Sequence, residues 1–204
     1  MSLAPVLLYA GGRRGSPRRI TTVQGVDIAD LLVSASGAAG IPTALLLGCL
    51  MAESELDARA ERWGPAALTA QAKAALANDD LQRLRAIIPL AGNDISFGLG
   101  QRIVKFHYHG NGQLTLENIL DVRQFVFDNT DTDVREAARL LASCLTNAGQ
   151  ADLTPVGGDR LLGACVAYNN GHVPPPGDAY WTARAATVGR YAEKLQQARQ
   201  LLGA

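Results

Sequence analysis

Apolar positions recur at intervals of three and four along most of this chain, the period of an α-helix rather than of a strand. The first such stretch, "VDIADLLVSAS" at 26–36, is stopped by "GAAG". "IPTALLLGCLMAESELDARA" follows at 41–60, with Pro42 suited to a first helical turn, where its missing N–H costs nothing. Two Ala/Leu-rich segments come next, "GPAALTAQAKAALAN" and "DDLQRLRAIIPLAG", the second opened by Asp79 or Asp80 as a cap. Three more helices are predicted over "TLENILDVRQFVFDN", with Thr115 and Asn118 near its start, "DTDVREAARLLASCLTNAG", capped by Asp131 or Thr132, and "GGDRLLGACVAYNNG". "GDAYWTARAATVGRYAEKLQQARQLL" at 177–202 is the last and longest. One stretch departs from the pattern. "NDISFGLGQRIVKFHYHGNGQ" at 93–113 is Gly-punctuated and aromatic, and suits a small hairpin or an irregular loop leading into a helix. The fold class expected is mainly α, with the unusual residues on loops of a helical frame.

The helix at 41–60 poses a chemical question. Counting back from Glu53 by three, four and seven gives Leu50, Cys49 and Leu46, so a carboxyl shares the apolar face. A carboxylate there loses hydration, and that loss raises its pKa. The alternative is a helix-end glutamate turned outward to pair with Arg59 or Arg62.

Composition bounds the rest. The chain has 204 residues, 48% of them hydrophobic and 19% charged, with a formal net charge of zero. That is enough apolar mass for one sizeable core, one domain with an appendage. Zero net charge gives no argument for nucleic acid or for an anionic membrane surface. The charge is unevenly placed: Arg13, Arg14, Arg18 and Arg19 lie in "GGRRGSPRRI", leaving 15 basic against 19 acidic residues in the remainder. Residues 1–24 therefore read as a basic arm, a flexible or docking segment, ahead of a domain spanning 25–204. Cys49, Cys144 and Cys165 have apolar neighbours and no metal spacing, so they read as buried, reduced hydrophobes. "LAPVLLYA" is too short for a convincing secretion signal and its positive charges follow it, while the run Ile41–Ala52 is too short to span a bilayer. A soluble protein without its own export signal is expected.

Three stretches carry the chemistry in order: "AESELDARA" at 52–60, "SFGLGQ" at 96–101 and "AYNNG" at 167–171. Their order and character resemble the lysozyme-like lytic transglycosylases and the related goose-type lysozymes, which cut the glycan strands of peptidoglycan. The likeness covers roughly residues 25–195. It implies a lysozyme-like helical domain in which Glu53 is the catalytic acid and Ser54 helps to fix the helix end. It also implies that Gln101, with the backbone around Gly98 and Leu99, forms one wall of the cleft, and that Tyr168 and Asn169 meet the glutamate and substrate from the other. "ENILDVRQF" at 117–125 lines up with the family's Asn-Ile segment. The chain departs from the family at Gly100, where a Met is frequent, and at Val122, where a Gly is. It also carries extra length at 64–92, expected to be a helical pair forming a rim, a lid or a docking surface.

Cleaving a glycosidic bond needs a donor still protonated near neutral pH, and an apolar helix face gives Glu53 that property. The hydrophobic pocket around the acid of ordinary lysozyme is a worked case of the same effect. Hydrolases add a second carboxylate about 5–9 Å away, for which Asp94 is the candidate, ahead of Glu117 and Asp121. Without such a partner the glutamate acts twice, first as acid and then as base toward the substrate's own C6 hydroxyl, closing a 1,6-anhydro ring. This non-hydrolytic route is the favoured expectation, with no cofactor and no metal. His107 and His109 in "FHYHG" lack a third ligand at matching spacing and are read as surface or sugar-contacting residues. Phe97, Tyr108, Tyr180 and Trp181 are candidates for stacking on sugar, although the helical spacing of Tyr180 and Trp181 favours core packing. Asn93 and Ser96 are candidates for N-acetyl contacts. The expected partners are peptidoglycan glycan strands and, through the arm and the 64–92 segment, other proteins of a bacteriophage virion or tail. A phage lysin is the alternative mode of delivery, and a catalytically silent glycan-binding component the alternative class.

Overall fold

A computed structural model describes residues 19–104 and 114–203, and the described chain is mainly α. It gathers into two compact units, one made of the chain up to Leu56 together with Val134 onward, the other Asp57–Asp133. The segment after Leu56 builds a core of its own. Tyr108, His107 and His109 lie outside the described residues, as does most of the basic arm.

The described part of the discontinuous unit begins inside the stretch assigned to the arm. Ile20 is buried, its carbonyl accepts from Ile28 N–H at 2.8 Å, and Thr21 bridges to Asp27. α1 (Ala29–Ala39) runs through most of "GAAG" and stops at Gly40, whose φ of 68° completes a left-handed cap. α2 (Thr43–Ser54) is entered from extended Pro42 and is apolar all round: Leu45, Leu46, Leu47, Cys49 and Leu50 are all fully buried. A helix with no polar face belongs in the middle of its unit. The remaining helices of this unit are α6 (Thr130–Ala148, from Val134 onward), α7 (Arg160–Asn170), α8 (Ala179–Ala183) and α9 (Ala185–Leu202). α2 packs most extensively against α9. They come close at Gly48, where a Cβ would stand 2.9 Å from Leu195 Cδ2 and 3.0 Å from Leu195 Cα.

The long final helix expected over 177–202 is broken at Arg184 (φ −116°, ψ 16°). Local propensity does not break it, since Ala and Arg are strong helix formers. The short α8 is instead fixed from outside, by Asp178 accepting from Tyr180 N–H at 2.7 Å and by the Trp181 indole N–H donating to the Pro175 carbonyl at 3.0 Å.

The second unit contains α3 (Ala66–Ala77), α4 (Leu81–Ala91) and α5 (Leu116–Asp128) around a small sheet. α3 and α4 pack together as the helical pair foreseen at 64–92, and Asp80 caps α4 by accepting from Arg83 N–H at 2.9 Å. Thr115 and Asn118 open α5 with a reciprocal capping box. The hairpin foreseen in the Gly-punctuated stretch is β2 (Ile95–Phe97) paired with β3 (Arg102–Ile103), and β1 (Glu61–Trp63) adds antiparallel to β2 with Arg62 opposite Ser96. Trp63, Phe97, Leu84, Ile87, Ile119 and Val126 form the core of this unit. Trp63 meets Phe97 edge-on at 5.8 Å, and Phe97 meets Phe127 at 6.2 Å. Phe97 is therefore a core residue and no sugar-stacking surface. Val122, one of the departures from the family pattern, is also buried in this core.

Candidate active site

In the discontinuous unit the end of α2 delivers Glu53 to a place where three other helices converge. Ser54 is buried, and its hydroxyl donates to the Leu50 carbonyl at 3.0 Å, tightening the last turn. Glu55 (φ 55°) and Leu56 (φ 62°) then both adopt left-handed backbone, so the chain leaves the helix abruptly after the carboxyl. Such conformations cost a non-glycine residue roughly 1–3 kcal/mol each and cluster at functional sites.

The Glu53 carboxyl is half-buried and Oε1 accepts a hydrogen bond from the Tyr191 hydroxyl. Tyr191 lies on α9 and is fully buried. Its position follows from the helix crossing: Gly48 lies against Leu195, and moving five residues along α2 and four back along α9 brings Glu53 to Tyr191. Burial first, and the Glu53 charge second, hold the Tyr191 hydroxyl well above the ordinary phenol range. It remains a donor throughout the physiological range.

Tyr180 on α8 is the second phenol near the carboxyl. Burial raises its pKa, the charge of Arg184 opposes that shift, and the charge of Glu53 reinforces it. Its hydroxyl reaches Asn169 Oδ1, at the end of α7, at 3.4 Å. Asn169 is thus brought into this group, and Tyr168 precedes it as a half-buried residue of the same helix end. Neither Tyr191 nor Tyr180 was singled out by the sequence as a partner of Glu53. The signal available was the tyrosine-rich closing segment together with the lone Gly48 inside an apolar helix.

Beneath Glu53 the three cysteines are free and buried. Cys49 lies one helical turn before Glu53, and its thiol is pushed well above its usual range by burial first, then by Cys165. Burial likewise pushes Cys144 up to about 11. Groups kept neutral in the fold but able to ionise when unfolded stabilise fully below their unfolded pKa values, and that contribution is lost as pH rises above them. Melting temperature is accordingly expected to hold to about pH 8.5 and then fall toward pH 11, with Cys144 alone contributing on the order of 2–3 kcal/mol of the loss. Thermal melts across that range, compared with Cys144→Ala, check it; an equally steep fall in the variant would remove the thiol from the account.

The other residues assigned to the site lie in the second unit. Gly98, Leu99 and Gln101 belong to the turn between β2 and β3, and all three are buried. The Gln101 amide is used internally: Oε1 accepts from Ser96 Oγ at 3.2 Å, and Nε2 donates to the carbonyls of Ala60 and Gly98, each at 3.0 Å. This side chain holds the turn in shape. Ser96 is buried and committed to the same network, which removes it as an N-acetyl contact, whereas Asn93 is exposed.

Asp133 was missed by the sequence reading except as part of a helix start. It is buried at the foot of α6, and its Oδ2 accepts from Gly100 N–H at 3.1 Å. A Cβ on Gly98 would stand 2.5 Å from that oxygen, so glycine is what lets the turn close over the carboxylate.

Asp94 is paired with Arg62, whose Nη2 lies 2.8 Å from Oδ1. Glu117 pairs with Arg85 at 2.9 Å, and its carboxyl is held below the usual range first by its own backbone N–H and then by Arg85. Asp121 is exposed.

Among the described residues no cluster of His, Cys, Asp and Glu suits a metal ion, and no single helix is long and apolar enough to cross a membrane. No protein-family model matches the sequence, and comparisons with curated proteins and with solved structures also find no match.

Proposed function

We propose that this protein is a peptidoglycan lytic transglycosylase, cleaving between N-acetylmuramic acid and N-acetylglucosamine with Glu53 as acid and then base. One observation carries the reading. A half-buried carboxyl at the end of an all-apolar helix receives a hydrogen bond from the fully buried Tyr191 hydroxyl. A phenol that stays protonated fixes the carboxyl's orientation without adding charge. Glu53 donates its proton to the glycosidic oxygen as the C1–O bond breaks, and the leaving sugar departs as an alcohol. The resulting carboxylate takes the proton of the C6 hydroxyl as that oxygen bonds to C1, restoring the acid and closing the anhydro ring. The cycle is balanced without water, metal or cofactor.

Delivery within a bacteriophage particle completes the reading. The α3–α4 pair, which exposes Leu81 and Leu90, would be the attachment surface.

Mass spectrometry of digested cell wall is expected to show muropeptides ending in anhydro-muramic acid, one water lighter than hydrolysed ends. Asp94→Asn is expected to leave this activity within a few-fold of wild type, because its carboxylate is engaged by Arg62. Reducing ends as the main product, lost in Asp94→Asn, would make the protein a hydrolytic muramidase instead. No cleavage at all would leave a glycan-binding structural component.

A further inference from the structure

We propose that Trp181, braced by Tyr180, is a stacking surface for one N-acetylhexosamine ring of a glycan strand; the choice of sugar rests on the function proposed above. The first ground is where these aromatics are not. Helical spacing assigns Tyr180 and Trp181 to a core, yet no residue of α8 is buried, and Trp63 and Phe97 fill the core of the other unit instead. Ala179, Thr182, Ala183 and Arg184 around them are exposed, so two large rings stand in a segment that is otherwise small and solvated.

The second ground is rigidity. The Trp181 indole N–H is fixed to the Pro175 carbonyl at 3.0 Å, within a run of three prolines, and the Tyr180 ring meets it edge-on at 5.5 Å and 89°. An indole held at its polar edge and braced by a perpendicular ring has a set orientation, and its binding loses little rotamer entropy. The third ground is place. Tyr180 bonds to Asn169 at the end of α7 at 3.4 Å, putting a polar amide beside the paired rings, and the Glu53 charge contributes to the raised pKa of the Tyr180 hydroxyl. A pyranose ring matches this arrangement: its C–H face is apolar, while its hydroxyl and acetamido groups radiate from the rim.

The protein has only two tryptophans, and the other, Trp63, is fully buried in the second unit. Fluorescence of Trp181 can therefore report the sugar directly. A β-1,4-linked N-acetylglucosamine hexamer titrated into Glu53→Gln protein, which binds without cutting, is expected to shift the emission and shield it from acrylamide. Adding Trp181→Ala should abolish that response and weaken binding measured by calorimetry about tenfold, while Trp181→Phe should recover most of the affinity. Hexamer binding with unchanged emission, equal affinity in Trp181→Ala, or no hexamer binding would each overturn the stacking surface. Wall digestion by the wild-type chain separates this from the parent reading. Cleavage with an unaltered KM in Trp181→Ala sinks the subsite alone, whereas Trp181-dependent binding without any cleavage sinks the enzyme and keeps the subsite.

Discussion

Glu53→Gln is expected to abolish wall cleavage while leaving the fold intact. Glutamine keeps the shape of the side chain, and its amide oxygen can still accept from Tyr191, but it has no proton to give. Loss of general acid assistance alone typically costs about 10²–10⁴ in rate, and here the base step disappears with it. A turbidity assay on purified wall should show no clearing, and melts at neutral pH should coincide with wild type. A further readout belongs to the hydrogen bond itself. Glu53's negative charge is one of the causes that raise the Tyr191 hydroxyl, so the uncharged amide should let that phenol ionise at lower pH in an ultraviolet titration. Retained cleavage would refute the assignment of Glu53. A large loss of stability would instead show the carboxylate to be a structural ion-pair partner.

Gly98→Ala is expected to give the largest loss of stability, about 2–5 kcal/mol. Its φ of 80° strains any L side chain, and the added carbon would fall 2.4 Å from Val126 Cγ1 and 2.5 Å from Asp133 Oδ2. Those neighbours are a core methyl and a buried carboxylate, and neither can swing away as the end of a long side chain would. Gly157→Ala is the control, because its φ of 64° is similar while nothing lies within 4 Å of the new carbon. It should lose only the conformational part, about 1–2 kcal/mol. Equal melting temperatures for the two variants would show that the turn yields and that Asp133 does not hold it.

The helices were legible because their apolar residues keep a helical period, and the position of Glu53 was legible for the same reason. Leu46, Cys49 and Leu50 on its face are all fully buried. The hairpin around "SFGLGQ" could be read from its glycines, but β1 could not, since three residues are too few for an alternation to register. Tyr191 was hidden by distance: it stands 138 residues from Glu53, and nothing local to either residue announces the other. What joins them is the crossing at Gly48, and an isolated glycine in a buried helix only hints that a neighbour comes close. Gln101 shows a different limit. The motif singles it out, but only the network through Ser96 and Ala60 shows that its amide is turned inward. The break at Arg184 was invisible because bonds from the proline loop override favourable helix propensity.

The discontinuity of the first unit bears on how the protein is made. During synthesis Glu53 emerges from the ribosome early, and Asp57–Asp133 can fold as it follows. The carboxyl nevertheless lacks the Tyr191 hydroxyl until α9 has been translated, because Tyr191 arrives 138 residues later. A nascent or prematurely terminated chain that stops before Tyr191 therefore carries the Glu53 carboxyl without this hydrogen-bond donor. Under the proposed activity, the order of the sequence withholds the cutting geometry until nearly all of the described chain has been translated.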